Sequence, residues 1–427
     1  MNKQTFLFLI LFHFFSTAVF SQSPKGEVYA YGRKIVDTMA SASMHGRGYV
    51  QGGDSIAALY LRSEFEKIGL KYLAAEPYQR FSFPINTFPG IVSAKLDDKV
   101  LVPGGDFIVY AHSSGSAGTY PVVVADDKLV EQKTKFKKFL KQNFRKKVLL
   151  INDTGKVTKE LQDLLGNAVR AKAVVSLKDK LTLSMAQETS GYLLLEVLRT
   201  SYHGEKEMTF DVQNQLIPDH KTQNVIGCIR GSEYPDSFIV FSAHYDHLGH
   251  MGKDAYFPGA NDNASGCAML LNLARHYSKP ENQPKYSIAF MAFAGEEVGL
   301  LGSKFYTENP LFSLKNIKFL LNMDIMGTGE EGITVVNGSV FKTQFEQLKK
   351  INADNKFIKD VKIRGKAANS DHYFFSEKGV PAFFIYTMGG IKAYHDIYDK
   401  PETLPLNEFE NLFKLIVKFG DFLQMEN

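Results

Sequence analysis

Almost unbroken apolar runs set between amphipathic segments constrain this chain more than any other feature. The runs are Ser237–Ala243, Ser287–Phe293, Ile317–Met323, Ile333–Val336 and Ala382–Thr387. Helical spacing marks Ala264–Tyr277, Ser303–Thr307, Phe341–Asp354, Asp371–Lys378 and Leu406–Leu423. A strand buried on one face alternates in polarity, whereas one buried on both faces reads as continuous apolar sequence. The expected fold is therefore α/β, with a mostly parallel mixed sheet covered by helices on both faces. In such sheets ligands bind beyond the carboxyl ends of the strands, so the residues that follow each run matter.

Those residues carry chemistry. His244-Tyr245-Asp246-His247 follows the first run, Ala294-Gly295-Glu296-Glu297 the second, and Asp324 the third. Tyr394-His395-Asp396 follows the last run after a Gly-rich turn, and Asp262 lies in Gly259-Ala260-Asn261-Asp262-Asn263 before a helix. Singly, each has an ordinary reading: His244 as a polar strand end, Asp262 as a helix cap, Glu296-Glu297 as acids at a helix start, His395 as a surface residue. Together they bring imidazoles and carboxylates to one rim, the usual donor set of hydrolytic zinc. Such a mixed set suits zinc better than a thiolate site, and it serves two metals if one carboxylate bridges them. Of the adjacent acids, one would bind metal and the other stay free to carry a proton.

His244-x-Asp246, Gly259–Gly266, Gly295-Glu296-Glu297-x-Gly299, Asn322-Met323-Asp324 and Tyr394-His395 resemble peptidase family 28, the co-catalytic zinc aminopeptidases. The resemblance spans roughly Gln223 to Leu404, with a fainter echo at Gly46-Arg47. It implies two zinc ions, one on His244 and Asp324, the other on Glu297 and His395, with Asp262 bridging. It implies Glu296 as general base, Asp246 as the residue orienting His244, and Tyr394 as a donor to the developing oxyanion. Ser370-Asp371-His372 resembles a further motif near the site. The implied reaction is release of N-terminal residues from peptide substrates. A carboxypeptidase is the alternative on the same scaffold, although no clear carboxylate-binding Arg is legible. A glutaminyl cyclase is opposed by the complete donor set and by the absence of Trp. A non-catalytic zinc-binding ectodomain is opposed by the presence of every ligand and of the base.

The rest of the chain sets the context. At 427 residues one compact core is too small a description. Residues 91–218 read as a small α/β insert with short strands at Leu101-Val102, Tyr120–Val124, Lys147–Ile151 and Ala173–Ser176. They resemble a protease-associated domain in order of elements. Residues 22–90 and 219–427 then form the peptidase domain, with a helix capped by Asp54 and ended by Gly69. Lys3 and the apolar stretch Phe6–Phe20 read as a signal peptide, residues 1–21, cut near Ser21, so the protein is expected to be secreted or periplasmic. No later segment is long and apolar enough for stable membrane insertion. A net charge of +4 makes no case for nucleic acid. The lysine-rich Lys133–Lys147 reads as a surface helix, and Cys228 and Cys267 as two buried thiols or one bridge. Oligomeric state is not legible.

Overall fold

A computed structural model describes residues 26–155, 158–165 and 170–425. The leader read at residues 1–21 lies outside the described residues. One eight-stranded sheet runs in the order Tyr78–Thr87, Gln215–Ile229, Tyr286–Phe293, Tyr234–His244, Ile317–Met323, Ala382–Met388, Gly332–Val336 and Val361–Ile363. Its four middle strands, from Tyr286–Phe293 to Ala382–Met388, are mutually parallel. The flanking pairs are antiparallel except at the far edge, which makes the sheet mixed.

Side-chain alternation explains the continuous apolar runs. Ile239, Phe241, Ala243, Ile288, Phe290 and Ala292 face the helices Glu27–Met39, Gly53–Ile68, Gly266–Tyr277 and Phe409–Leu423. Phe238, Val240, Ala289, Met291 and Phe293 face the other way, onto Tyr306 and Phe375 of Leu301–Glu308 and His372–Glu377. Every residue of Tyr286–Phe293 is buried. Removing one such ring, as in Phe290→Ala, costs about 3–5 kcal/mol.

A second eight-stranded sheet is built from residues 92–212. Its parallel middle runs Ser116–Asp126, Val148–Asn152, Ala173–Lys178 and Leu193–Leu198, and the last three of these strands are largely buried on both faces. Leu149, Ile151 and Val174 pack on Phe139, Phe144 and Leu161 of the covering segments. Leu150, Val175 and Leu195 belong to a cluster with Leu248, Met251 and Phe257, which follow the insert in the chain. The insert is thus docked through its own core.

Several expectations shift in detail. The lysine-rich helix ends at Leu140, and Phe144 reaches the core from the turn beyond, leaving Leu140 39% exposed. Asp54 lies inside the helix Gly53–Ile68, which starts after Gly52 at φ 69. Its carboxylate instead meets His220 Nε2 at 2.8 Å and accepts the Thr222 hydroxyl at 2.9 Å. The strand Gln215–Ile229 begins within the range read as insert but pairs with Tyr78–Thr87 in the first sheet. Cys228 and Cys267 are both buried free thiols.

Candidate metal centre

The parallel strands deliver their last residues to one rim. Tyr234–His244 ends on His244, and Asp324 follows Ile317–Met323 directly. Tyr286–Phe293 is followed by Ala294 and by Gly295 at φ 70, which turns the chain so that Glu296 and Glu297 come next. Asp262 sits in the wide turn Ala260–Ser265 before Gly266–Tyr277. Asp399 fixes that turn by accepting the N–H of Asn261 at 2.8 Å and of Asp262 at 3.0 Å. Gly259, at φ 59, has no room for a Cβ, which would stand 2.3 Å from the Asp262 carbonyl oxygen.

The predicted ligands converge. Asp262 Oδ1 lies 3.3 Å from His244 Nε2, and its Oδ2 lies 3.1 Å from His395 Nε2. Asp324 Oδ1 completes one side at 3.3 Å from His244, and Glu297 Oε2 the other at 3.2 Å from His395. One carboxylate therefore faces both imidazoles, with a further carboxylate beside each. All these side chains are buried or nearly so. Asp324 Oδ1 is buried without a hydrogen-bond donor, and crowding carboxylates out of water is costly unless a cation joins them. The imidazole and carboxylate donors suit zinc.

The two adjacent acids are pushed apart. Burial raises the Glu296 carboxyl well above its ordinary range, and the charges of Asp324, Glu297 and Asp371 reinforce this against His244. Burial also works to raise Glu297, but His395 and hydrogen bonds from His247 and His395 outweigh it and bring the carboxyl to about 2. Such a divergence suits one acid for carrying protons and the other for staying ionised.

Asp246 does more than its spacing predicts. His244 Nδ1 lies 3.2 Å from the Asp246 backbone carbonyl and 3.9 Å from its carboxylate. That carboxylate accepts the N–H groups of Glu296 and Glu297 at 3.2 and 3.3 Å and the Tyr49 hydroxyl at 2.7 Å. It thereby fixes the turn that carries both acids. Ser370 donates to Asp324 at 3.1 Å, while Tyr394 lies at the rim with its ring stacked on His395, centroids 3.9 Å apart. A cavity of about 180 Å³ opens over Asp262, Glu296, Asp324, Tyr394 and His395.

Other contributors escaped the sequence reading. His247 contacts Glu297 Oε1 through Nδ1 at 2.7 Å, and its place in His244-Tyr245-Asp246-His247 was the available signal. Arg47 is wholly buried and donates to the carbonyls of Tyr245, Met39, Pro258, Gly259 and Asp262, stitching the Asp262 turn to the His244 strand end. The partner of His395 comes from the insert: Nδ1 lies 2.9 Å from the Leu183 carbonyl, and the Leu183 N–H donates to the His395 carbonyl at 2.9 Å. Lys180 adds a bond to the Lys392 carbonyl at 3.0 Å and an ion pair with Asp396 at 3.3 Å. A backbone strap of the insert thus holds a candidate ligand, and no side-chain pattern could have announced it.

Known proteins resemble this chain to different extents. Residues 224–420 match the model of peptidase family M28. Aminopeptidase YwaD of Bacillus subtilis is 30% identical over 203 residues, covering 46% of this chain and 42% of that protein. A protein of Pyricularia oryzae named "Probable zinc metalloprotease" is 40% identical over 116 residues, covering 26% of this chain and 23% of its own. The chain thus spans less than half the length of these curated relatives. Among solved structures, BSAP, a zinc aminopeptidase from Bacillus subtilis, superposes with a TM-score of 0.69 at 21% identity, over 92% of this chain and 94% of that one. That likeness shows a common fold, the mixed α/β sheet read from the apolar runs. The segment 224–420, which contains every candidate ligand, is thus the part of the chain that matches peptidase family M28.

Proposed function

We propose that this protein is a zinc-dependent aminopeptidase that releases N-terminal residues from peptides. The observation that carries the reading is Asp262 with one oxygen toward each imidazole, beside the Glu296–Glu297 pair. His244 with Asp324 would hold one zinc, His395 with Glu297 the other, and Asp262 both. Metal ions held there polarise a scissile carbonyl and supply hydroxide at neutral pH. Glu296 lines the cavity, and its raised affinity for protons fits it to take one from the attacking water and return it to the leaving amine. Tyr394 lines the same cavity and would donate its hydroxyl to the oxygen on which negative charge develops. Asp246 would position both acids. The names of the relatives, a zinc metalloprotease and an aminopeptidase, support this chemistry. The leader at residues 1–21 supports export to the periplasm or medium, and among the described residues no helix is long and apolar enough to cross a membrane.

The test is zinc per chain in the mature protein, with turnover of free-amine and N-blocked peptides before and after chelation. Two zincs with chelator-sensitive release from free-amine substrates alone support the reading. Release from N-blocked peptides means a carboxypeptidase, cyclisation of N-terminal glutamine means a cyclase, and bound zinc without turnover means a binding module.

A further inference from the structure

The cavity over the candidate ligands has a cationic lining residue that the proposed chemistry does not use. Its floor carries Asp262, Glu296 and Asp324, while among its described lining residues Arg364 is the one Lys or Arg. The backbone of Arg364 is fixed just past the edge strand Val361–Ile363, its N–H donating to Val335 and its carbonyl accepting from Ser339. From there the guanidinium reaches Tyr386, Nη1 lying 3.3 Å from the phenol oxygen. Arg62, Arg80 and Arg199 each hold a carboxylate on this protein's own surface, at 2.8, 3.0 and 2.8 Å. Arg364 has no such partner within 4.0 Å among the described residues; it is exposed where it lines the cavity, and its guanidinium is open to an incoming acceptor. Its acceptors have to arrive from outside.

A guanidinium is a planar fork matched to a carboxylate. A fork in the lining of the cavity that holds the candidate ligands and Glu296 is placed to receive a carboxylate of a substrate whose scissile carbonyl lies over the centre. Ile325, Phe384 and Tyr386 add largely apolar lining. We propose that Arg364 receives a carboxylate of the substrate, so that the protein favours peptides carrying an acid one residue from the scissile bond. That acid is either the side chain of an N-terminal Asp or Glu or the free C-terminus of a dipeptide. The assignment rests on the aminopeptidase reading above.

The experiment compares the full mature zinc-loaded protein with Arg364→Gln and Arg364→Lys on four substrates: leucine p-nitroanilide, glutamate α-p-nitroanilide, Leu-Leu and Leu-Leu-amide. A charge-assisted hydrogen bond contributes about 1.5–3 kcal/mol, so the preference for the acid-bearing substrate over its neutral counterpart should fall about 10–100-fold in Arg364→Gln. Arg364→Lys should recover part of it. A selective loss on the glutamyl substrate places the acid in the N-terminal side chain. A selective loss on Leu-Leu over its amide places it on the free C-terminus. Unaltered preferences in Arg364→Gln, with normal turnover of leucine p-nitroanilide by the wild type, overturn this assignment and leave the aminopeptidase reading standing. Wild-type protein that turns over none of the four overturns both.

Discussion

The chain builds two sheets of eight strands each, and they differ in what happens at their ends. In the first, parallel strands run out into His244, Glu296-Glu297 and Asp324. In the insert, the equally apolar strands Val148–Asn152, Ala173–Lys178 and Leu193–Leu198 run out into Asp153, Asp179 and Arg199, which satisfy one another or solvent. Among the described residues, the groups able to hold a metal ion lie wholly on the first sheet. A buried parallel sheet is therefore a platform, and chemistry comes from whether the residues past its edge converge. The insert still takes part, because its Leu183 backbone holds His395.

This division can be sharpened by experiment. Glu296→Gln should lower kcat by about 10²–10⁴-fold while zinc content, measured by atomic absorption, stays at the wild-type level. Leu150→Ala opens a cavity in the core of the insert and should cost about 2–5 kcal/mol, read as a shift in denaturation midpoint. Because Leu150 shares its cluster with Leu248 and Met251, hydrogen exchange should rise in both parts of the chain; a rise confined to the insert would mean the two fold independently. Leu183→Pro removes the N–H that bonds the His395 carbonyl. The Leu183 carbonyl facing His395 Nδ1 remains, but the strap that positions it is loosened; outer-sphere partners of metal-bound imidazoles contribute about 10–100-fold in affinity, so the zinc proposed at His395 should be released at lower chelator concentration than in the wild type. Leu183→Ala, which keeps both backbone groups, reports the loss of packing alone, and equal zinc affinity in both variants would confine the insert to a scaffold.

The smallest effect concerns acid. Burial tends to raise the Asp106 carboxyl in the insert, but the Ser201 hydroxyl and the Val102 N–H outweigh it and hold the group below its ordinary range. A depressed folded value contributes stability above the unfolded value, near pH 3.9, and that contribution fades as the pH falls through the folded value. Asp106→Asn should therefore flatten the acid limb of insert stability below about pH 4. No change in that limb would show that Asp106 has equal proton affinity folded and unfolded.

The strands and the ligands were legible for separate reasons. Continuous runs such as Ser287–Phe293 follow from burial on both faces, and His244, Asp262, Glu297, Asp324 and His395 betray themselves by type and by position after such runs. What stayed hidden depends on contacts distant in sequence. Arg47 acts through carbonyls as far away as Asp262, and Asp399 acts on the N–H groups of a turn. Arg364 follows a short edge strand with no sign in its neighbours that the fold sets it on the cavity wall. Leu183 contributes only main-chain atoms, which every residue has. Asp54 misled because an acid at the start of a helix is usually a cap, and here a buried His-Thr pair claims it.

The strap has a consequence for the order in which the molecule comes into being. Leu183 and His395 are 212 residues apart, so synthesis completes the whole insert and most of the first sheet before the last ligand exists. Contacts of such long separation form late, and domains tend to fold as they emerge from the N-terminal side. A growing chain therefore holds a finished insert and an unfinished centre. On the function proposed above, the centre is complete only when the tail has returned to the strap, so incomplete chains would carry no active site among their neighbours.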